Sequence, residues 1–198
     1  LIPRFYDVTS GSIRIDGIDV RDFNIKTLRS KIGFIRQKTL LFTGSIKSNI
    51  KFGKRKASHE EMVHSAKVAQ AYDFINKKEK KFDEPIGEGG SNVSGGQKQR
   101  LSIARALVRK PEIYIFDDSF SALDFKTDAI LRAELKKETT HAIVLIVAQR
   151  IGSIMDADKI IVLDEGNVVG IGKHKELLKT CSVYKEIALS QLTEEELA

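Results

Sequence analysis

The stretch from residue 92 to residue 107, which reads NVSGGQKQRLSIARAL, constrains the fold of this chain more than any other. Ser94 and Gln97 have the S-x-x-Q spacing of a capping box, in which each side chain satisfies a backbone N–H at a helix start. The apolar residues that follow recur at helical spacing, and Pro111 stops the helix just after Lys110. The sequence therefore predicts a helix that begins at Ser94.

Two glycines occupy the first turn of this predicted helix. Gly95 and Gly96 are poor helix formers, so propensity alone does not place them there. Their presence is explained if another group must approach the backbone. Bare N–H groups and the positive end of the helix dipole together favour an anion such as a phosphate. For these residues alone, an ordinary capped helix whose glycines only end a loop is an equal alternative.

The residues after Pro111 favour the phosphate interpretation. Residues 113–116 are a short apolar run that ends in Asp117 and Asp118, typical of a buried strand that delivers carboxylates at its carboxyl end. Together with S-A-L-D at residues 121–124, this order resembles the ATP-binding cassette (ABC) ATPases. Within this family the sequence resembles the nucleotide-binding domain of an ABC exporter, and the resemblance covers essentially all 198 residues.

The resemblance implies roles for individual residues. Ser94 to Gln97 would be the signature, residues 113–117 the Walker B strand, and residues 121–124, which end in Asp124, the D-loop. Each segment has a counterpart in the family, so the chain is expected to bind ATP and Mg²⁺. An intact signature of this kind would contact the ATP held by a second domain.

The resemblance also implies one shared ligand site. Gln37 follows a predicted strand over residues 31–36 and would be the Q-loop glutamine, a magnesium and water ligand; a surface glutamine is the alternative. Asp117 would hold Mg²⁺, because a hard cation prefers carboxylate oxygens. Ligands gather beyond the carboxyl ends of strands in such sheets. Gln37, Asp117, Asp118 and Gln149 all follow predicted strands, so we expect them to lie together.

This sequence departs from the family pattern at the catalytic centre. Asp118 stands where the family has a glutamate, and a displacement of about 1 Å can cost on the order of 10²-fold in rate. Gln149 replaces the switch histidine and cannot carry a proton's charge at neutral pH. Neutral drift is the alternative for each change. Because both changes fall on one centre, the sequence favours a slow, degenerate site.

A phosphate-binding motif is also missing from the sequence. No G-x-x-x-x-G-K-[ST] occurs in the 198 residues. Because residues 1–7 resemble the end of a helix, we expect this Walker A loop and the first strands to lie upstream. The chain alone is then expected to be inactive and to bind no Mg-ATP.

An intact signature beside altered catalytic residues resembles the degenerate-site subunit of a heterodimeric multidrug-type exporter. Residues 85–90 are predicted to be a flexible connector before the signature. The implied partners are a second ABC nucleotide-binding domain and a transmembrane domain, which Glu88 in this connector would approach at the cytoplasmic face of the membrane. One alternative is a nucleotide-gated regulatory module with little hydrolysis. Another is a DNA-repair-type ABC ATPase, but the interval from Gln37 to Ser94 leaves no room for its coiled coil.

Composition bounds the class of protein. An apolar share of 41% and a charged share of 30% suit a globular protein with a core. The net charge of +6 could suit nucleic acid or anionic lipid, but the basic residues are spread along the chain, so we predict no nucleic-acid partner. The longest apolar run, residues 142–148, is far shorter than the roughly 20 residues of a membrane helix. The single Cys181 allows no disulfide within the chain.

The alternation of strands and helices predicts an α/β fold. By resemblance this is one ABC ATPase domain with a P-loop NTPase-like layered sheet, a mostly parallel core, an antiparallel edge ribbon and an inserted helical subdomain. We expect the ribbon and Q-loop in residues 1–44, the helical subdomain in 45–94, and the signature helix with the remaining core in 95–198. We also expect residues 142–148 to be a central strand. On a helix over residues 127–138, Ile130, Leu131 and Leu135 should face inward.

Overall fold

The computed structural model describes residues 1–193 of the chain. The residues cluster into two compact units, one over Leu1–Val147 and one that begins at Ala148. Among the helices of residues 1–193, none combines the length and the apolar character that a bilayer crossing requires. The predicted boundaries at residues 44 and 94 stay predictions.

The first unit is an α/β unit. Its strands are β1 (Arg14–Ile15), β2 (Ile18–Asp19), β3 (Ile32–Ile35), β4 (Gly44–Ser45), β5 (Pro85–Ile86), β6 (Ile113–Asp117) and β7 (Ile143–Val147). Its helices are α1 (Ile25–Ser30), α2 (Ile46–Lys51), α3 (His59–Val68), α4 (Tyr72–Asn76), α5 (Gly95–Leu107) and α6 (Phe125–Glu138). Short 3₁₀ turns lie at Lys81–Asp83 and Glu88–Gly90.

A parallel three-stranded sheet organises this unit. Its order is β3-β6-β7, so β6 is central. The register pairs Ile35 of β3 with Phe116 of β6, and Asp117 of β6 with Val147 of β7. Parallel strands end at the same edge of a sheet, so the residues that follow β3 and β6 are side by side. Two short antiparallel pairs, β1 with β2 and β4 with β5, accompany this sheet.

The main core of the first unit joins the sheet to the helices. Ile35 and Phe116 from the sheet are buried together with Leu101 of α5, Ile50 of α2 and Met62 of α3. Burial of apolar side chains of this size contributes about 1.5–3 kcal/mol each. The predicted α/β fold class is confirmed: the sheet core is parallel, the ribbon is antiparallel, and helices α2 to α4 lie in sequence between β3 and α5.

The second unit is a hairpin followed by two helices. Its elements are β8 (Ile160–Asp164), β9 (Asn167–Gly172), α7 (His174–Thr180) and α8 (Ser182–Leu189), after a 3₁₀ turn at Ile151–Ser153. Glu165 and Gly166 form the hairpin turn with φ of 46° and 81°, the positive values that a type I′ turn requires. The two helices and the hairpin share a small core of their own around Tyr184.

Two predicted helix features are wrong. Residues 1–7 form turns and contain no helix. Helix α5 ends at Leu107 rather than at Lys110, whose φ of 50° lies outside the helical region. The sequence indicated the stop through proline, but the chain leaves the helix earlier in order to turn towards β6.

Three further local predictions are corrected by packing. Within residues 1–193 the apolar strand in residues 142–148 is β7, which pairs with β6 alone and has mostly exposed side chains, so the predicted central place is not seen among the described strands. Ile130 is 42% exposed, whereas Leu131 and Leu135, four residues apart on one helix face, are buried. Residues 85–90 are not a flexible connector, since they form β5 and the turn at Glu88–Gly90.

Candidate functional site

Two of the predicted site residues meet where β3 and β6 end. The Gln37 Nε2 donates a hydrogen bond to Asp118 Oδ2 at 2.9 Å. Gln37 lies two residues beyond β3 and Asp118 one residue beyond β6, so the parallel register brings them together. Asp117 is the last residue of β6 and is half-buried. The structure therefore brings three of the four predicted strand-end residues to one edge of the sheet.

The backbone of Asp118 has an uncommon conformation. Its φ of 44° lies in the left-handed region, which aspartate tolerates better than most residues. Its N–H donates to the Val147 carbonyl at 2.9 Å, and its own carbonyl accepts from Ser121 Oγ at 2.9 Å. These bonds hold the backbone so that the carboxylate meets Gln37.

Ser119 is a site residue that sequence reasoning missed. Its side chain is buried, and its Oγ donates to the Ile35 carbonyl at 2.9 Å, with the Asp117 carbonyl at 3.3 Å. The hydroxyl thus joins the ends of β3 and β6, one residue after Asp118 in the chain. A serine after two aspartates carries no sequence signal for this contact, which depends on strand register.

The predicted capping box at the start of α5 is confirmed. The Gln97 N–H donates to Ser94 Oγ at 3.3 Å, and the Ser94 N–H donates to Gln97 Oε1 at 3.2 Å. The first turn of this 13-residue helix contains no acidic residue. The earliest N–H groups of a helix have no intrahelical acceptor. The helix start is therefore electrostatically suited to an anion.

The two glycines of this turn have different surroundings. A Cβ placed on Gly95 would meet nothing within 4 Å, so the backbone there is open. A Cβ on Gly96 would lie 3.2 Å from the carbonyl oxygen of Ala122. A loop of the same chain thus approaches Gly96 and gives that glycine a packing reason of its own. The binding of an anion by the N–H groups of Gly95 and Gly96 stays a prediction.

Asp124 caps helix α6. Its Oδ1 accepts a hydrogen bond from the Thr127 N–H at 2.9 Å, which fixes the orientation of the carboxylate. This backbone hydrogen bond, with a further contribution from the Thr127 side chain, lowers the pKa of Asp124 below its ordinary value. The Asp124 carboxylate is thus held in place, two residues after the Ala122 carbonyl that faces Gly96.

Gln149 belongs to the second unit, where it is exposed. Its carbonyl accepts from Gln191 Nε2 at 2.7 Å, and Gln191 Oε1 accepts from the Ile151 N–H at 2.9 Å. One side chain near the end of the described residues therefore braces the loop that carries Gln149. The approach of Gln149 to Gln37, Asp117 and Asp118 stays a prediction.

The loop that contains Glu88 is held by Asn92. The Asn92 Oδ1 accepts from the Gly87 N–H at 3.0 Å, and its Nδ2 donates to the Pro85 carbonyl at 2.7 Å. Glu88 itself is exposed on this turn. A single amide thus closes the loop and leaves the carboxylate at the surface.

The first unit also contains a groove of about 290 Å³. It is lined by the loop after β3, the end of α2 and helix α5. The rings of Phe42 and Phe52, both exposed, lie 4.6 Å apart along it. Arg105 lies 5.1 Å from the Phe42 ring centre and donates to the carbonyls of Leu40 and Asn49, both at 3.0 Å. Burial lowers the pKa of Arg105 to about 10. The groove thus combines exposed aromatic rings with the three arginines of its wall, Arg36, Arg105 and Arg109.

The donor set at the strand ends suits magnesium only together with other ligands. In residues 1–193 no group of three or more His, Cys, Asp or Glu side chains could enclose a metal ion. Asp117 and Gln37 supply a carboxylate and an amide oxygen of the hard type that Mg²⁺ prefers. Mg²⁺ is commonly held by one or two carboxylates together with phosphate oxygens and water. The residues therefore fit a magnesium ion that arrives with a nucleotide.

The fold and these motifs define a nucleotide-binding domain of the ABC type. The family described as ABC transporter matches residues 1–121. The chain therefore belongs to the ABC transporter family. Its fold is that of an ABC exporter nucleotide-binding domain: a bacterial Atm1-family ABC exporter, solved with ATP bound, matches with a TM-score of 0.92 and 38% identity over 94% of this chain and 33% of that one.

Curated relatives agree with this family. An uncharacterized ABC transporter ATP-binding protein of Mycobacterium tuberculosis is 43% identical over 194 residues, which are 96% of this chain and 33% of the relative. A putative multidrug export ATP-binding/permease protein of Staphylococcus aureus is 44% identical over 187 residues, 94% of this chain and 32% of the relative. The chain thus spans about a third of the length of the proteins it matches.

Proposed function

We propose that this chain is the ATP-binding and ATP-hydrolysing part of an ABC exporter. The observation that supports this most directly is the start of α5, a capped helix with an open Gly95 and no acidic residue in its first turn. Such a helix start binds phosphate oxygens through backbone N–H groups. Relatives whose names say ATP-binding and multidrug export support the same role.

In the chain's own site, Asp117 and Gln37 hold Mg²⁺, and Asp118 orients the attacking water. Mg²⁺ supplies neutralisation of the charge on the transferred phosphoryl group. The hydrogen bond of 2.9 Å between Gln37 and Asp118 supports this placement, because it puts both side chains at one point. Gln149 donates a hydrogen bond to the γ-phosphate. Since Asp118 is one methylene shorter than glutamate and Gln149 carries no charge, this site turns over slowly.

The partner of this chain is a second, different ABC nucleotide-binding domain, arranged head to tail. Ser94 to Gln97 and Asp124 serve the partner's competent site, while Asp117, Asp118 and Gln149 form the slow one. The contact of Gly96 with the Ala122 carbonyl supports the pairing of signature and D-loop, because it makes them one surface. The Thr127 N–H orients the Asp124 carboxylate on that surface and lowers its pKa.

The transporter's membrane domain contacts the first unit at Glu88, on the cytoplasmic face of the cell membrane. The exposed carboxylate lies on a turn that Asn92 holds closed, as a docking position requires. The exposed rings of Phe42 and Phe52 offer apolar surface for an intracellular helix of the same domain. The permease named in the Staphylococcus aureus relative is the kind of partner that this contact requires.

The experiment is a gain of function in the full-length heterodimer with the partner's competent site disabled. Asp118→Glu combined with Gln149→His should raise ATP hydrolysis by more than the product of the single changes, because both serve one transition state. Glu60→Asp, which changes an exposed carboxylate in the first turn of α3 by one methylene, is the control and should change nothing. No gain from the double variant would place the slowness in the partner's half of the site.

The alternative is a nucleotide-gated regulatory module that holds ATP with little hydrolysis. The same experiment separates it, since such a module would bind nucleotide in the double variant without gaining turnover. A DNA-repair-type ABC ATPase is disfavoured by the segment between Gln37 and Ser94, which forms the short helices α2 to α4 and no coiled coil.

A further inference from the structure

Gln99 is a buried amide on helix α5, two residues beyond Gln97. It is 2% exposed, although glutamine is usually found at the surface. Its Nε2 donates to the Arg36 carbonyl at 3.3 Å, and its Oε1 accepts from the Thr39 hydroxyl. Both partners belong to the exposed segment after β3. They stand on either side of Gln37 in the sequence.

These two hydrogen bonds fix the segment that carries Gln37. The segment is exposed at Gln37 itself and leaves the sheet at Ile35, so β3 no longer restrains it there. The amide of Gln99 uses both its donor and its acceptor on this segment, one on each side of Gln37. Loss of the amide would leave the Arg36 carbonyl and the Thr39 hydroxyl without this partner. The position of Gln37 against Asp118 therefore depends on α5.

We propose that Gln99 is a positioning residue that holds Gln37 in the magnesium site and couples it to the signature helix. This rests on the proposed function, which gives Gln37 to the chain's own Mg²⁺ and Gln97 to the partner's ATP. One rigid helix carries both Gln97 and Gln99. When the start of α5 moves on binding the partner's nucleotide, the Gln99 amide transmits this movement to Gln37. The two nucleotide sites are thereby linked inside this chain.

The test uses the full-length transporter and a readout that belongs to this chain alone. A photoreactive azido-ATP labels each polypeptide separately. The labelling of this chain, measured as the free Mg²⁺ concentration is varied, therefore reports nucleotide binding at its own site. Gln99→Met removes both hydrogen bonds while keeping similar volume. The free Mg²⁺ needed for half-maximal labelling should rise about tenfold, as expected when a partner of a metal ligand is lost. Ser65→Ala, which removes a buried hydroxyl in α3, should leave it unchanged.

A double-mutant cycle with Gln37→Ala separates positioning from general stability. If Gln99 acts through Gln37, Gln99→Met in the Gln37→Ala background should shift the Mg²⁺ requirement no further. Thr39→Val removes one of the two bonds and serves if Gln99→Met does not fold; it should give a smaller shift in the same direction. Additive effects, or a shift absent from both variants, would overturn the inference. If Gln37→Ala alone changes nothing, the magnesium role in the proposed function fails, and the inference fails with it.

Discussion

Alanine substitutions at the two glycines that open α5 should have opposite effects on stability. At Gly95 an added Cβ meets nothing within 4 Å, so Gly95→Ala gains helix propensity, up to about 1 kcal/mol. At Gly96 the Cβ would lie 3.2 Å from the Ala122 carbonyl oxygen, closer than an ordinary contact. Overpacking of this kind costs about 1–3 kcal/mol. This cost outweighs the helix propensity that Gly96→Ala would gain.

Thermal unfolding of the 198-residue chain measures the difference. A gap of about 1–3 kcal/mol corresponds to a Tm for Gly95→Ala that is about 3–10 °C above that of Gly96→Ala. In the full-length transporter, the more stable Gly95→Ala variant should still lose ATPase activity, because its added methyl group fills the space that a phosphate needs. A Gly96→Ala protein as stable as Gly95→Ala would refute the close packing between α5 and the D-loop.

Two further predictions concern side chains that the packing holds. The folded pKa of Asp124 is lower than its unfolded pKa of about 3.9, so its contribution to stability is present above pH 4 and is lost as the pH falls through the folded value. Asp124→Asn should keep the cap but remove this part of the acid sensitivity, measured as the change in Tm between wild type and variant across pH 5 to pH 2. Arg105→Lys should lower the free energy of unfolding by about 2 kcal/mol or more, because a lysine cannot reproduce the fork of bonds to Leu40 and Asn49. Denaturant unfolding checks this, and an unchanged midpoint would contradict it.

The sequence predicted those parts of the fold that depend on local patterns. The capping box at Ser94 forms as predicted, because a box needs only residues three apart. The meeting of Gln37 with Asp118 was predictable because both follow strands that end at one edge.

The remaining features depend on contacts between distant segments. Gly96 is explained by Ala122, and Gln99 by Arg36 and Thr39, and no pattern around either residue indicates its partner. The pairing of β7 with β6 alone among residues 1–193 could not be read from its apolar run, because such a run indicates a strand and not its neighbours. Sequence patterns locate elements, whereas register and packing decide which polar groups meet.

The central claim is that the start of α5 binds the γ-phosphate of ATP held by the partner domain. Gly95→Asp in the full-length heterodimer tests it most directly, because the open space at Gly95 and the tolerance of aspartate near helix starts allow the variant to fold. The added carboxylate would repel phosphate oxygens. We predict an intact complex that retains nucleotide at the slow site and loses most of its ATPase activity. Turnover near that of the wild type would contradict the claim and the heterodimer proposal with it.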